Sequence, residues 1–320
     1  MSETLNRRGT RMEASCLAED VGQKHRLKYR YTTSGSWYKG SLHLHTNRSD
    51  GHLSVTKLIK MYAAEQFDFI AITDHWRLPK FNGRRTNPPL LLIDGIELDG
   101  FDTAGVYYHV LALGASLKLP TSSRDFLKAL QAARSQGALL IWAHPHWTGN
   151  SPSDGLRHGF DGMEIYNHSS QCENGSGYAL SHWDTVLKRH PDFLGFATDD
   201  SHFVPEQQYW KGGWIMVNAA ACTQQEILHN IRKGNFYATQ GPEFKTIEYA
   251  SNTVKVETSP VAYIRLIGSR MAGSWINATD KKPLLQAEFQ LPLDWPYARI
   301  EVEDIDGKRA WTNPLWCSQC

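Results

Sequence analysis

Short apolar runs of strand length recur along this chain of 320 residues, and almost every one ends in a residue that can bind a metal. The first, residues 38–44, runs into His43-Leu44-His45. Two histidines one residue apart in an extended segment face the same side, because strand side chains repeat every two residues. Asp50 follows five positions after His45, next to Gly51, which lets the backbone turn sharply. Residues 67–72 deliver Thr73-Asp74-His75, and residues 90–93 deliver Glu97. Residues 107–113 contain His109, residues 138–142 deliver His144, and residues 193–197 lead to Asp200-Ser201-His202. Residues 161–166 and 214–217 are further strands. Helical spacing occupies residues 54–66, 123–136, 177–189 and 223–233, with Ser54 and Ser122 or Ser123 as caps and Gly137 as a stop. Strands alternating with helices, with chemistry at the strands' C-terminal ends, describe an α/β barrel.

The pattern changes after residue 243. Residues 261–267 and 298–303 alternate as strands do, and Asp306-Gly307 is a hairpin turn signal. The expected organisation is a polar leader over 1–36, a barrel over 37–243 and a small β-sandwich-like domain over 244–320. A 41% hydrophobic and 21% charged composition is ordinary for a globular chain, and a net charge of +1 supplies no basic field for long nucleic-acid tracts. Five scattered cysteines, Cys16, Cys172, Cys222, Cys317 and Cys320, argue against a disulfide framework and for a reducing compartment. No signal-peptide core or bilayer-length apolar run occurs, so the cytoplasm is the expected location.

The elements HxHTxxSDG, TDH, GxE, HP and DxH occur in that order across roughly residues 40–205. They resemble the PHP family of metal-dependent phosphoesterases, and the strand-rich tail is most similar to its CehA/McbA-like branch, named for a carbamate-insecticide hydrolase. The resemblance implies a distorted (β/α)7 barrel with two to three divalent ions. It implies that His43, His45, Glu97 and Asp200 hold one ion, that Glu97 with His109 and His144 holds a second, and that Asp50, His75 and His202 hold a third. Asp200 rather than Asp199 is assigned because it stands two before His202, which places both on one face of an extended segment.

Imidazole and carboxylate donors suit zinc, manganese or iron better than calcium. The expected chemistry is hydrolysis of a small phosphomonoester or phosphodiester by a metal-bridging hydroxide. Carboxylester or carbamate hydrolysis is the alternative, and a metal-stabilised binding module is a third reading. No GxSxG elbow or Cys–His nucleophile competes. Arg48 is either a phosphate contact or a solvated loop charge. Arg77, Arg84 and Arg85 lie in a polar stretch, 76–89, long enough to cover a substrate. His146 is a candidate proton donor, and His168, at a strand end, is a further catalytic candidate. Asp74 is expected to orient His75 or a neighbouring loop. The partner is a small phosphorylated molecule, and the oligomeric state stays open.

Overall fold

In the computed structural model the described residues are 28–32, 34–114, 117–206, 209–279, 282–292 and 294–317. Most of the polar leader, with Cys16, and the end of the terminal CxxC lie outside them. The chain is mixed α/β. After β1 (Lys28–Tyr29) come β2 (Ser36–Ser41), α1 (Val55–Ala64), β3 (Phe69–Ile72), β4 (Leu91–Phe101) and β5 (Tyr107–Leu113). Then follow α2 (Phe126–Ser135), β6 (Leu139–Trp142), β7 (Gly162–Asn167), α3 (His168–Asn174), α4 (Leu180–Leu187) and β8 (Leu194–Thr198). The α/β part ends with β9 (Trp214–Ala219), α5 (Gln224–Arg232) and β10 (Phe236–Thr239).

Local chemistry sets the helix starts. The Ser54 hydroxyl accepts from the Lys57 amide at α1, and the Thr223 hydroxyl from the Glu226 amide at α5. Ser122 caps a 3₁₀ turn, Ser123–Asp125, that leads into α2, so the helix starts later than periodicity alone suggests.

The strands from β2 to β8 are neighbours in sequence order, but they are not all parallel. β2, β3 and β4 run parallel, as do β6, β7 and β8; β5 is antiparallel to both its neighbours. The reason is local. β4 continues through Glu97 to Phe101, and a turn in which the Asp102 carboxylate accepts from the Ala104 and Val106 amides returns the chain directly as β5. With no crossover helix, the pair must be a hairpin.

The sheet is also not the closed barrel expected. Among the described residues no ladder joins β8 to β2; the segments beyond them are joined by a parallel bridge between Leu44 and Ser201. The curled sheet still encloses an apolar core that includes Leu42, Phe69, Ile93, Leu111, Ile141 and Phe196. A second core lies between its outer face and α2 and α4, around Trp142 and Trp183, both fully buried. Each such side chain contributes roughly 1.5–3 kcal/mol by leaving water.

Among the described residues after 243 every regular element is a strand: β11 (Phe244–Ala250), β12 (Thr253–Val261), β13 (Tyr263–Ile267), β14 (Gly273–Asn277), β15 (Leu284–Gln290), β16 (Arg299–Glu303), β17 (Arg309–Thr312) and β18 (Trp316–Cys317). Four of them extend the large sheet, because β17 pairs with β10; β11, β12 and β15 form a separate three-stranded sheet packed on that extension. Asp306-Gly307 turns β16 into β17, with Gly307 at φ +79°. No helix among the described residues is long and apolar enough to cross a membrane.

Candidate metal centre

One mouth of the curled sheet gathers all nine donors named from the sequence. His43, His45 and Asp50 follow β2, His75 follows β3, and Glu97 lies within β4. His109 lies within β5, His144 follows β6, and Asp200 and His202 follow β8. Seven of them, all but His43 and His45, border a cavity of about 320 Å³.

The tightest group is His43, His45, Glu97 and Asp200, all buried. His43 Nε2 is 3.1 Å from His45 Nε2; Glu97 Oε2 is 3.0 Å from each of them, and Asp200 Oδ1 3.2 Å from each. Donors arranged about an ion at about 2.0–2.1 Å stand roughly 3.0 Å apart in an octahedron and 3.4 Å in a tetrahedron. The observed spacings fall within that window. The His43 Nδ1 lies 2.7 Å from Glu164 Oε1, which assigns its proton to that side and leaves Nε2 as a bare lone pair. Asp200 Oδ1 is buried within 3.2 Å of two rings yet aligned for a hydrogen bond with neither, and His45 Nδ1 and His144 Nδ1 are likewise buried without a hydrogen bond. Lone pairs packed this closely repel unless a cation lies among them. The donor set therefore fits a divalent transition ion.

Two further groups adjoin it. His45, Asp50, His75 and His202 form one, with His202 Nε2 3.2 Å and His75 Nε2 3.6 Å from Asp50 Oδ2. His75, Glu97 and His109 form the other, with His109 Nδ1 2.7 Å from Glu97 Oε1; His144 Nε2 reaches the same oxygen at 3.3 Å. Glu97, with its two oxygens facing different rings, stands at the junction.

Second partners aim the rings. Asp99 lies 3.2 Å from His75 Nδ1 and also accepts from the Trp76 indole and the Tyr107 hydroxyl. The Asp200 carbonyl accepts from His202 Nδ1. Glu164 accepts from His43, Thr198, the His144 amide and Asn167. Neither Glu164 nor Asp99 was named from the sequence. The one signal for Glu164 was a carboxylate in the middle of an apolar strand. Gly51 closes the first loop because a Cβ there would sit 2.5 Å from the His45 carbonyl.

His144 and Asp200 adopt φ of +26° and +54°. The chain kinks at Asp200, so the expected extended 200–202 segment is not what brings Asp200 and His202 together; the left-handed turn does.

The charges are strongly coupled. Burial alone would lower the imidazoles of His43 and His45, but Asp200, Glu97 and their other carboxylate neighbours raise both well above the ordinary range. Burial alone would raise Glu97 and Asp200, but the surrounding rings hold both well below the usual carboxylate range. Without a cation, His43 and His45 therefore favour their protonated forms.

Other residues named from the sequence lie elsewhere. Asp74 does not touch His75; it accepts from the Thr46 amide and hydroxyl and from Ser49, which fixes the 46–49 loop. Asp199 points away and accepts from the Lys211, Gly212 and Gly213 amides. His146 is exposed and bonded to the Tyr178 carbonyl, and His168 opens α3 and bonds to the Tyr166 hydroxyl; neither borders the donor cavity. Arg85 bonds to the Cys222 carbonyl, while Arg48 and Arg77 line an adjoining cavity.

No family model matches the sequence, and no curated protein matches it. Among solved structures, the chain is similar to a two-domain protein from Bacteroides vulgatus containing a predicted PHP-like metal-dependent phosphoesterase. The TM-score is 0.52 at 16% identity, over 92% of this chain and 100% of that one. A protein from Bifidobacterium adolescentis, provisionally assigned as a metal-dependent phosphoesterase, gives 0.36 at 15% identity, over 55% of this chain and 94% of that one. An amidohydrolase from Chromobacterium violaceum gives 0.38 at 13%, over 62% and 96%. The first of these likenesses shows that the chain shares the fold of that two-domain protein.

Proposed function

We propose that the protein is a metal-dependent phosphoesterase acting on a small phosphomonoester or phosphodiester. The observation that carries this reading is the quartet His43, His45, Glu97 and Asp200, whose donor atoms stand 3.0–3.2 Å apart in the contacts given above, with Asp200 Oδ1 buried among them and unbonded. His43, His45, Glu97 and Asp200 would hold one ion, and the two adjoining groups would hold up to two more. When bound, such ions supply positive charge for phosphoryl oxygens and acidify a water. Zinc, manganese and iron all suit the donor set.

The chain's own residues do the rest. Glu164 and Asp99 keep protons on the far nitrogens of His43 and His75 and so hold the near ones as acceptors. The cavity, walled partly by Trp147, limits water around the reacting group. The fold shared with the two-domain protein from Bacteroides vulgatus is consistent with this chemistry.

The assay is hydrolysis of p-nitrophenyl phosphate and bis-p-nitrophenyl phosphate by chelator-stripped protein, with and without added Mn²⁺ or Zn²⁺. Metal-dependent turnover of either is expected. Inertness of metal-loaded protein to both esters, and to a panel of phosphorylated metabolites and nucleotides, would overturn the reading. One observation favours a second reading: Trp147, 43% exposed, packs edge-on against His109 and His144 and offers a surface to an aromatic leaving group. Turnover of 1-naphthyl esters or carbamates without phosphatase activity would select carboxylester or carbamate hydrolysis.

A further inference from the structure

Beside the donor cavity lies a larger one, of about 610 Å³, that the proposed chemistry does not use. Its rim carries four cations, Arg48, Arg77, Lys80 and Lys118, and no carboxylate lines it. All four are exposed, and among the described residues none has an ion pair or a side-chain hydrogen bond. The floor is apolar, formed by Ile96 and Leu117. Exposed cations normally face solvent or pair with neighbouring acids; four around one concavity with no acid among them make a field that favours an anion.

No residue lines both cavities, but their linings are close neighbours in the chain. Asp50 borders the donor cavity and Arg48 the basic one, and two residues span at most about 7 Å. His75 and Trp76, adjacent in the chain, divide in the same way, and Asp99 holds both. The dividing wall is thus pinned by the residue that aims a metal-type donor.

We propose that the basic cavity is a second anion subsite, which receives the distal charged group of a substrate whose phosphoryl end enters the donor cavity. The inference rests on the phosphoesterase reading and narrows its substrate class to small phosphoesters with a second anionic group, such as bisphosphates or phosphorylated carboxylates. The apolar floor accepts the carbon skeleton between the two charges.

The test uses the full chain loaded with Mn²⁺ and two variants, the triple Arg77→Gln/Lys80→Gln/Lys118→Gln and the single Lys80→Glu, each checked for folding by its melting curve. Calorimetric titration compares non-hydrolysable alkane bisphosphonates of two, four and six carbons with the matching alkyl monophosphonates. In the wild type one bisphosphonate binds more tightly than its monophosphonate, and the triple variant loses about tenfold of that preference, as the loss of several exposed ion pairs implies. Absence of any preference in the wild type, or its survival in both variants, would overturn the proposal. In parallel, turnover of alkanediol bisphosphates and alkyl monophosphates separates the two claims. Selective bisphosphonate binding with no hydrolysis sinks the phosphoesterase reading and keeps the subsite; hydrolysis without selectivity does the reverse.

Discussion

Replacing Glu164 by glutamine would keep its shape and remove its charge, at a position that never touches the cavity. The carboxylate is 1% exposed and accepts four hydrogen bonds: His43 Nδ1 at 2.7 Å and the Thr198 hydroxyl at 2.8 Å on one oxygen, the His144 amide and Asn167 Nδ2, both at 2.8 Å, on the other. An amide can accept on one side only. If its NH₂ faces the His144 amide, two donors collide, and a buried donor left unpaired costs about 1–3 kcal/mol. If it faces His43, the ring must move its proton to Nε2, which cancels the lone pair offered to Glu97 and Asp200. Either arrangement weakens the quartet, and loss of such a supporting partner typically lowers metal affinity or activity by about 10–100-fold. The assay is competition for Zn²⁺ against a chromogenic chelator, alongside kcat with saturating metal. Unchanged affinity and unchanged kcat in a folded variant would refute the claim that Glu164 sets the His43 tautomer.

Asp99→Asn should weaken the group around His75 while sparing the quartet, so metal analysis should show a loss confined to the weaker-binding ions; equal loss of all bound metal would contradict that separation. Gly51→Ala places a Cβ against the His45 carbonyl and should lower both the melting temperature and metal content, checked by calorimetry and elemental analysis. Metal binding should release protons, since His43 and His45 are held protonated without it; titrations in buffers of different ionisation enthalpy measure the number, and none released would contradict the coupling. In the stripped protein those raised imidazoles stabilise the fold fully below about pH 6.5 and lose that contribution as pH rises through their folded values. Melting temperature without metal should therefore fall from pH 6 to 9, and adding Mn²⁺ should oppose the fall.

The donors were legible because each is a polar residue in or just after a buried apolar run, where a side chain has little else to do. All nine meet at one mouth of the sheet. The helix cap at Ser54 was legible for a similar reason: it depends on a bond within three residues. What escaped was non-local. Glu164 and Asp99 matter only because His43 and His75 arrive from other strands, and nothing in their own neighbourhoods announces that. The antiparallel β4–β5 pair turns on how far β4 runs past Ile93, which its apolar residues alone do not decide. Whether the sheet closes depends on hydrogen bonds between β8 and β2, far apart in the chain, and α3 begins at His168, where a strand end was the evident feature. Asp200 was identified by an argument about extended backbone, yet it takes its place through a left-handed turn.

Anomalous diffraction from crystals of the full chain, grown with saturating Mn²⁺ or Zn²⁺, tests the metal centre most directly. A peak should lie within about 2.0–2.3 Å of His43 Nε2, His45 Nε2, Glu97 Oε2 and Asp200 Oδ1. Saturated crystals with no anomalous peak among those four atoms would contradict the account.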